Sequence, residues 1–393
     1  MNYLSSLLGL DSAPPKITTL PMYKAATDYE SKLLSLSKSK YPTSNLKVYD
    51  VDLHDDSENF IHTVEVSSKS KSKKSNDPLV IMHGYGNGIG YLFRNLLPLS
   101  TSLPNRRVFG IDMLGFGLSS RPEFYSSLKS SDQDPQSVAG AESFFVESLE
   151  KWREEQGLDK MVLAGHSMGG YLSVAYTEKY PDRVSKLILL SPVGVPQADE
   201  EKRTKQMAKA SLRFKVLIGT VRTFWRMGLT PMSVLRKMPE GKGKALVDGY
   251  VFRRMQLLED EEKTLLSGYF YNIGCLPGSG EYCLQSILDV GVLAKEPLVD
   301  RIPKLKLTSS IGMLYGAHDW MDVDGGLEVQ KRMEEAGSKN VDVRVVKRAG
   351  HLLNLENPAE CNRILADLVK EKSGHDPSKV NWKSRATVDD NRI

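Results

Sequence analysis

Met161-Val162-Leu163-Ala164-Gly165-His166-Ser167-Met168-Gly169-Gly170-Tyr171 is an apolar run, a serine with glycines two residues to either side, and the start of a segment of helical character reaching Tyr180. This order predicts a strand, a tight turn and a helix, with Ser167 presented at a nucleophile elbow. The glycines matter because the serine must occupy a strained turn, and a side chain two residues away on either side would strike the neighbouring strand or helix. Such a serine is placed to form an acyl-enzyme. A bare G-x-S-x-G also occurs as a purely structural turn, so the rest of the chain has to decide.

Working outward, Pro78-Leu79-Val80-Ile81-Met82 reads as a buried strand running into His83-Gly84-Tyr85-Gly86-Asn87-Gly88. Glycines in such a loop let backbone N–H groups point inward, and the amides of Tyr85 and Met168 are the candidates to hold an oxyanion. Downstream, the strand-like run Ser310–Gly316 leads to Asp319, and a second run, Val341–Val346, leads to His351. Each residue thus lies past the C-terminal end of a strand, where open parallel sheets gather their ligands. A serine hydroxyl is a weak nucleophile until a histidine takes its proton and an acid holds that imidazole, which makes Ser167, His351 and Asp319 the candidate catalytic trio. Asp322 is a rival acid, and Asp300 a weaker one because it precedes the strand. His83 is read as ordering its loop, His166 as filling the elbow and His318 as a turn residue.

The chain has 393 residues, a formal charge of +4 and a pI near 8.7, enough length for a sizeable core and too little net charge to indicate a partner. Three cysteines, Cys275, Cys283 and Cys361, lack metal-ligand spacing and suit free thiols in a reducing compartment. No stretch is long and apolar enough to span a bilayer. Residues Met1–Leu10 lack a secretory n-region and the arginines of a typical mitochondrial presequence, though their mixture of hydroxylated and apolar residues stays compatible with import; a frayed terminus is the simpler reading. The expectation is an intracellular, cytoplasmic protein with peripheral association to membrane or lipid droplet, the mitochondrion being a further possibility.

The organisation predicts an α/β fold with a doubly wound, mostly parallel sheet and an inserted helical cap. Residues 1–44 form an N-terminal extension, 45–195 the first part of the core, 196–294 the cap, 295–372 the second part of the core and 373–393 a polar tail. An antiparallel strand pair is expected over 45–66, a solvated Ser/Lys loop over 67–76, a strand over 107–112, a helix over 142–156 and a strand over 186–190. Between Pro196 and Ala294 the strand rhythm stops. The run Arg203–Met238 contains no Asp or Glu and interleaves basic with apolar residues, among them Arg213, Lys215, Arg222, Phe224, Trp225 and Arg226. Such a segment can lie on an anionic membrane surface, or it can belong to a cap whose basic residues are merely solvated. Nothing else in the chain suggests nucleic acid binding.

Taken together, His83-Gly84-Tyr85-Gly86, Asp112-Met113-Leu114-Gly115-Phe116-Gly117, Ser119-Ser120-Arg121-Pro122, Phe145–Arg153, the elbow and Ser279-Gly280-Glu281 resemble an α/β-hydrolase. The closer resemblance is to the group containing animal α/β-hydrolase-domain proteins four and five, with fungal cardiolipin phospholipases and soluble lysophosphatidate acyltransferases. It covers roughly residues 78 to 360 in colinear order. It implies acyl chemistry on glycerophospholipids at membranes or lipid droplets. One animal member has asparagine at the nucleophile position and acts as a lipase coactivator, whereas this chain keeps Ser167. The family's His-x4-Asp motif is replaced by His351-Leu352-Leu353-Asn354-Leu355-Glu356, and Glu356 with Asn357-Pro358 is read as starting the last helix.

The expected activity is hydrolysis of phospholipid acyl esters, of the phospholipase A or lysophospholipase type, on cardiolipin or N-acyl phosphatidylethanolamine among other candidates. The alternatives are acyl-CoA-dependent acylation of lysophosphatidate, and a non-catalytic regulator of a lipase. No metal or cofactor is called for; acyl-CoA enters as co-substrate only in the transferase reading.

Overall fold

The computed structural model describes residues 16–55, 58–68, 76–124, 137–197, 223, 228–289, 292–307, 309–338 and 340–370. The readings made on Met1–Leu10, on most of the Ser/Lys loop, on Arg213, Lys215, Arg222, Phe224, Trp225 and Arg226, and on the polar tail lie outside the described residues.

The core is an eight-stranded sheet. Its first strands, β1 (Asn45–Asp52) and β2 (Phe60–Ser67), pair antiparallel, and β2 meets β4 (Val108–Ile111) antiparallel as well. From there β4, β3 (Leu79–Met82), β5 (Met161–His166), β6 (Val184–Leu190), β9 (Ile311–Gly316) and β10 (Val341–Val346) run parallel, in spatial order β1-β2-β4-β3-β5-β6-β9-β10. The strands β3, β4, β5 and β9 are buried along their whole length, as expected of parallel strands covered on both faces. Alternation divides them between two apolar cores: Val80, Met82 and Leu163 face one side, Leu79, Ile81 and Val162 the other.

Helices cover both faces. The 20-residue α1 (Pro21–Lys40) precedes the sheet, α2 (Leu96–Ser102) follows β3, and α3 (Val138–Glu155) follows β4. Ser137 caps α3 by accepting from the Gly140 N–H at 2.9 Å, and Trp152 of α3 donates its indole N–H to Thr63 at 3.0 Å. After β5 comes α4 (Met168–Lys179), in which Met168 to Thr177 are all buried. The second half of the core adds α8 (Val323–Glu335) and α9 (Pro358–Lys370).

Between β6 and β9 stand α5 (Pro231–Lys237), α6 (Glu240–Arg254) and α7 (Asp260–Cys275). One departure from the all-helical expectation is a two-residue antiparallel ladder, β7 (Leu288–Asp289) with β8 (Leu293–Ala294). The N-terminal α1 packs against α7, with the Tyr29 ring lying over Gly268 where any Cβ would collide. Arg94 of the core pairs with the buried Glu262 at the start of α7. No helix among the described residues is long and apolar enough to cross a membrane.

Candidate active site

Ser167 stands between β5 and α4 as the cap residue of the helix, with φ 54° and ψ −116°, a conformation costly for a residue with a side chain. The surrounding backbone holds it there. Its N–H donates to Leu190 at 2.9 Å, and its carbonyl accepts from Gly170 at 3.0 Å and Val193 at 3.3 Å. A Cβ at Gly165 would strike the Gly169 backbone, and one at Gly169 the His83 carbonyl. The loop after β3 passes equally close, since a Cβ at Gly84 would stand 3.1 Å from the Ser167 Cβ. The requirement for glycine is therefore steric at each of these positions.

The other two members of the trio arrive from loops past β9 and β10. His351 Nε2 lies 3.0 Å from Ser167 Oγ, and His351 Nδ1 lies 3.2 Å from Asp319 Oδ1. The same Asp319 oxygen accepts from the Met321 N–H at 2.9 Å. Burial pushes the Asp319 carboxyl up, but His351, the Ser191 hydroxyl and the Met321 amide outweigh it and hold the acid below its ordinary range. The rivals have other work. Asp322 caps α8, accepting from the Asp324 N–H at 3.0 Å, and Asp300 pairs with Arg332 at 2.8 Å and with Gln197.

The remaining histidines support the backbone. His83 Nε2 accepts from the Met113 N–H at 3.1 Å, which leaves the proton on Nδ1 to be donated to the Gly84 carbonyl at 2.7 Å. Burial lowers its pKa to about 4. His166 donates from Nε2 to the His351 carbonyl at 2.8 Å, and burial, reinforced by the nearby His351, lowers its pKa to about 3. It does more than fill the elbow: it anchors the main chain of the trio's histidine. His318 is an exposed turn residue.

Glu356 corrects the sequence reading. It does not begin the last helix; Asn357 and Pro358 do, with the Asn357 side chain accepting from the Glu360 N–H at 3.3 Å. Glu356 instead turns back, accepts from the Gly350 N–H and receives Arg254 from the end of α6 at 3.4 Å. Arg236 is a second correction, since this member of the basic run points inward to the buried Glu281 at 2.6 Å. The Ser279-Gly280-Glu281 signature thereby docks the cap: Ser279 bonds the Pro122 carbonyl, Gly280 abuts the Gly115 backbone and Glu281 holds Arg236.

A cavity of about 130 Å³ opens over Ser167. Tyr85 and Asn87 line it from the core side, and Tyr250, Met255 and Phe270 from the cap. Met168, directly after the nucleophile candidate, offers the first N–H of α4, which has no carbonyl one turn earlier to bind. The cap contributions and the exposed Trp320, whose ring centre is 4.9 Å from that of His351, had no signal in the sequence beyond their lying in segments flanking the motifs.

One buried cluster unites metal-ligand types, Glu30, His62 and Asp112. His62 sits between two carboxylates, Asp50 at 2.6 Å and Glu30 at 2.9 Å, so both ring nitrogens donate. Burial opposes the charge, but Glu30 and Asp50 hold the His62 pKa well above its ordinary value. An imidazolium ion has no lone pair for a metal, so this geometry is that of an ion network. It ties α1 to β1 and β2.

Residues 77–214 match the α/β hydrolase fold family model. A probable 1-acylglycerol-3-phosphate O-acyltransferase of Oryza sativa subsp. japonica is 31% identical over 346 residues, covering 84% of this chain and 77% of that protein. A (lyso)-N-acylphosphatidylethanolamine lipase of Bos taurus is 31% identical over 313 residues, covering 79% and 83%. Among solved structures, a bacterial membrane phospholipase A superposes with a TM-score of 0.55 at 20% identity, over 87% of this chain and 91% of that one, a likeness of fold.

Proposed function

The chain belongs to the α/β-hydrolase family, in the group of α/β-hydrolase-domain proteins four and five, and from that premise we propose that it is a serine hydrolase of glycerophospholipid acyl esters. The observation that carries the reading is the continuous relay from Ser167 Oγ through His351 to the ionised Asp319, at a cavity bordered on the cap side by Tyr250, Met255 and Phe270. In the proposed reaction Ser167 Oγ attacks the ester carbonyl while His351 Nε2 takes its proton. The Tyr85 and Met168 amides hold the oxyanion. Collapse of the tetrahedral intermediate breaks the ester C–O bond, and His351 returns the proton to the departing lysolipid oxygen. Water, deprotonated by His351, then releases the fatty acid and restores Ser167.

A second reading is favoured by the name of the rice relative. If a lysophosphatidate hydroxyl replaces water and acyl-CoA supplies the acyl group, the same relay makes phosphatidate. Lipid mass spectrometry on wild type and Ser167→Ala, supplied with cardiolipin, phosphatidylethanolamine, its N-acyl form, and lysophosphatidate with or without oleoyl-CoA, separates the two. Fatty acid and lysolipid release that requires Ser167 and no CoA is the expected result. Phosphatidate formation that requires CoA would replace hydrolysis by transfer. Equal product from wild type and Ser167→Ala would remove the relay from the chemistry and leave a regulator of another lipase.

A further inference from the structure

Nine large apolar side chains are exposed among the described residues, and four of them, Leu246, Tyr250, Phe252 and Leu257, fall within twelve residues on and just beyond α6. That concentration is not the scattered exposure ordinary surfaces show. At 100° per residue, Lys242, Leu246, Gly249, Phe252 and Arg253 share the solvent side of α6, and all five are exposed. One acid, Asp248, borders that side four residues before Phe252, with its side chain 37% exposed. Glu240 projects from the opposite side, and Asp248 is turned along the flank, where Lys244 at 3.1 Å and Ser267 engage it. Tyr250 lies at the edge of the stripe and also lines the cavity over Ser167. Trp320, 58% exposed, rests against His351, which itself lines the cavity.

We propose that this face of α6, with Trp320, is a docking surface for an anionic phospholipid bilayer. The inference rests on the lipid reading of the active site and names how that site meets its substrate. Leu246, Phe252 and Trp320 enter the boundary between headgroups and acyl chains. Lys242 and Arg253 pair with lipid phosphates, while the bordering Asp248 is offset by Lys244 and Asp260 by Lys263. Docking in this orientation sets the side of the cavity that Tyr250 lines toward the lipid. The residues of this surface lie after the Arg203–Met238 segment in the chain, on which the sequence placed membrane contact.

The test uses the full-length protein and sedimentation with extruded vesicles, either pure phosphatidylcholine or phosphatidylcholine mixed with phosphatidylglycerol. Wild type is expected to partition onto the phosphatidylglycerol vesicles only, and Lys242→Glu/Leu246→Glu to lose at least about tenfold in that partitioning. Both changes lie on exposed positions outside the cavity, so turnover of a soluble short-chain ester should match wild type. Double-variant binding equal to wild type would overturn the proposal, as would wild-type binding that ignores lipid charge or is absent. A parallel Arg222→Glu/Arg226→Glu variant assigns the contact to the other segment if it alone loses binding. Failure of short-chain turnover in wild type would sink the hydrolase reading while leaving the vesicle result to judge the docking face.

Discussion

At the level of single residues, the site turns on which carboxylate faces His351. Asp319, Asp322 and Asp300 all stand near the right place in the chain, yet only Asp319 aims an oxygen at His351 Nδ1. Its carboxyl, held below the ordinary range, stays ionised and can stabilise the imidazolium as it forms. Asp319→Asn should therefore lower kcat by about 10³-fold to 10⁴-fold. Asp322→Asn should leave kcat within about twofold of wild type, because asparagine still caps a helix. Comparable losses in the two variants, measured on one short-chain ester, would reassign the acid. Choosing among three aspartates needs the path of the loop after β9, which leaves from Gly316 packed against the Ala349–Gly350 backbone, and that path is set by residues roughly thirty positions downstream.

Among the elements, the loop from β10 to α9 is held from the cap. Glu356 grips the Gly350 amide, one residue before His351, and is itself met by Arg254 at the end of α6. This makes Glu356 a positioning residue. Glu356→Ala should lower kcat by about tenfold to a hundredfold with KM nearly unchanged, since a small displacement of His351 spoils its approach to Ser167. Glu356→Gln keeps an oxygen for Gly350 and should restore most of the loss; if it behaves like alanine, the ion pair with Arg254 matters more than the amide contact. The hexapeptide from His351 to Glu356 was conspicuous in the sequence, but a carboxylate beside Asn-Pro looks like a helix start until its direction is known.

For the whole molecule, α1 belongs to the folded body through the Glu30–His62–Asp50 network and its packing on α7. Because the His62 pKa is raised on folding, its contribution is complete below about pH 6.5 and is lost as pH rises through the higher folded value. Asp112, pushed up by burial and then by the charge of Glu30, adds a loss of the same sign at lower pH. The difference in Tm between wild type and His62→Gln should accordingly shrink as the buffer becomes alkaline, and a difference that grows would mean His62 is neutral in the fold. The strand–turn–helix unit at Ser167, the parallel-strand rhythm and the chain order Ser, Asp, His were legible in the sequence alone. They depend on local sterics and on burial patterns with periods of two and 3.6 residues. Only the tertiary structure decided that Asp319 is the acid facing His351, that Glu356 braces His351 and that α6 walls the cavity. Those contacts join residues far apart in the chain, and their directions are set by packing that no local pattern encodes.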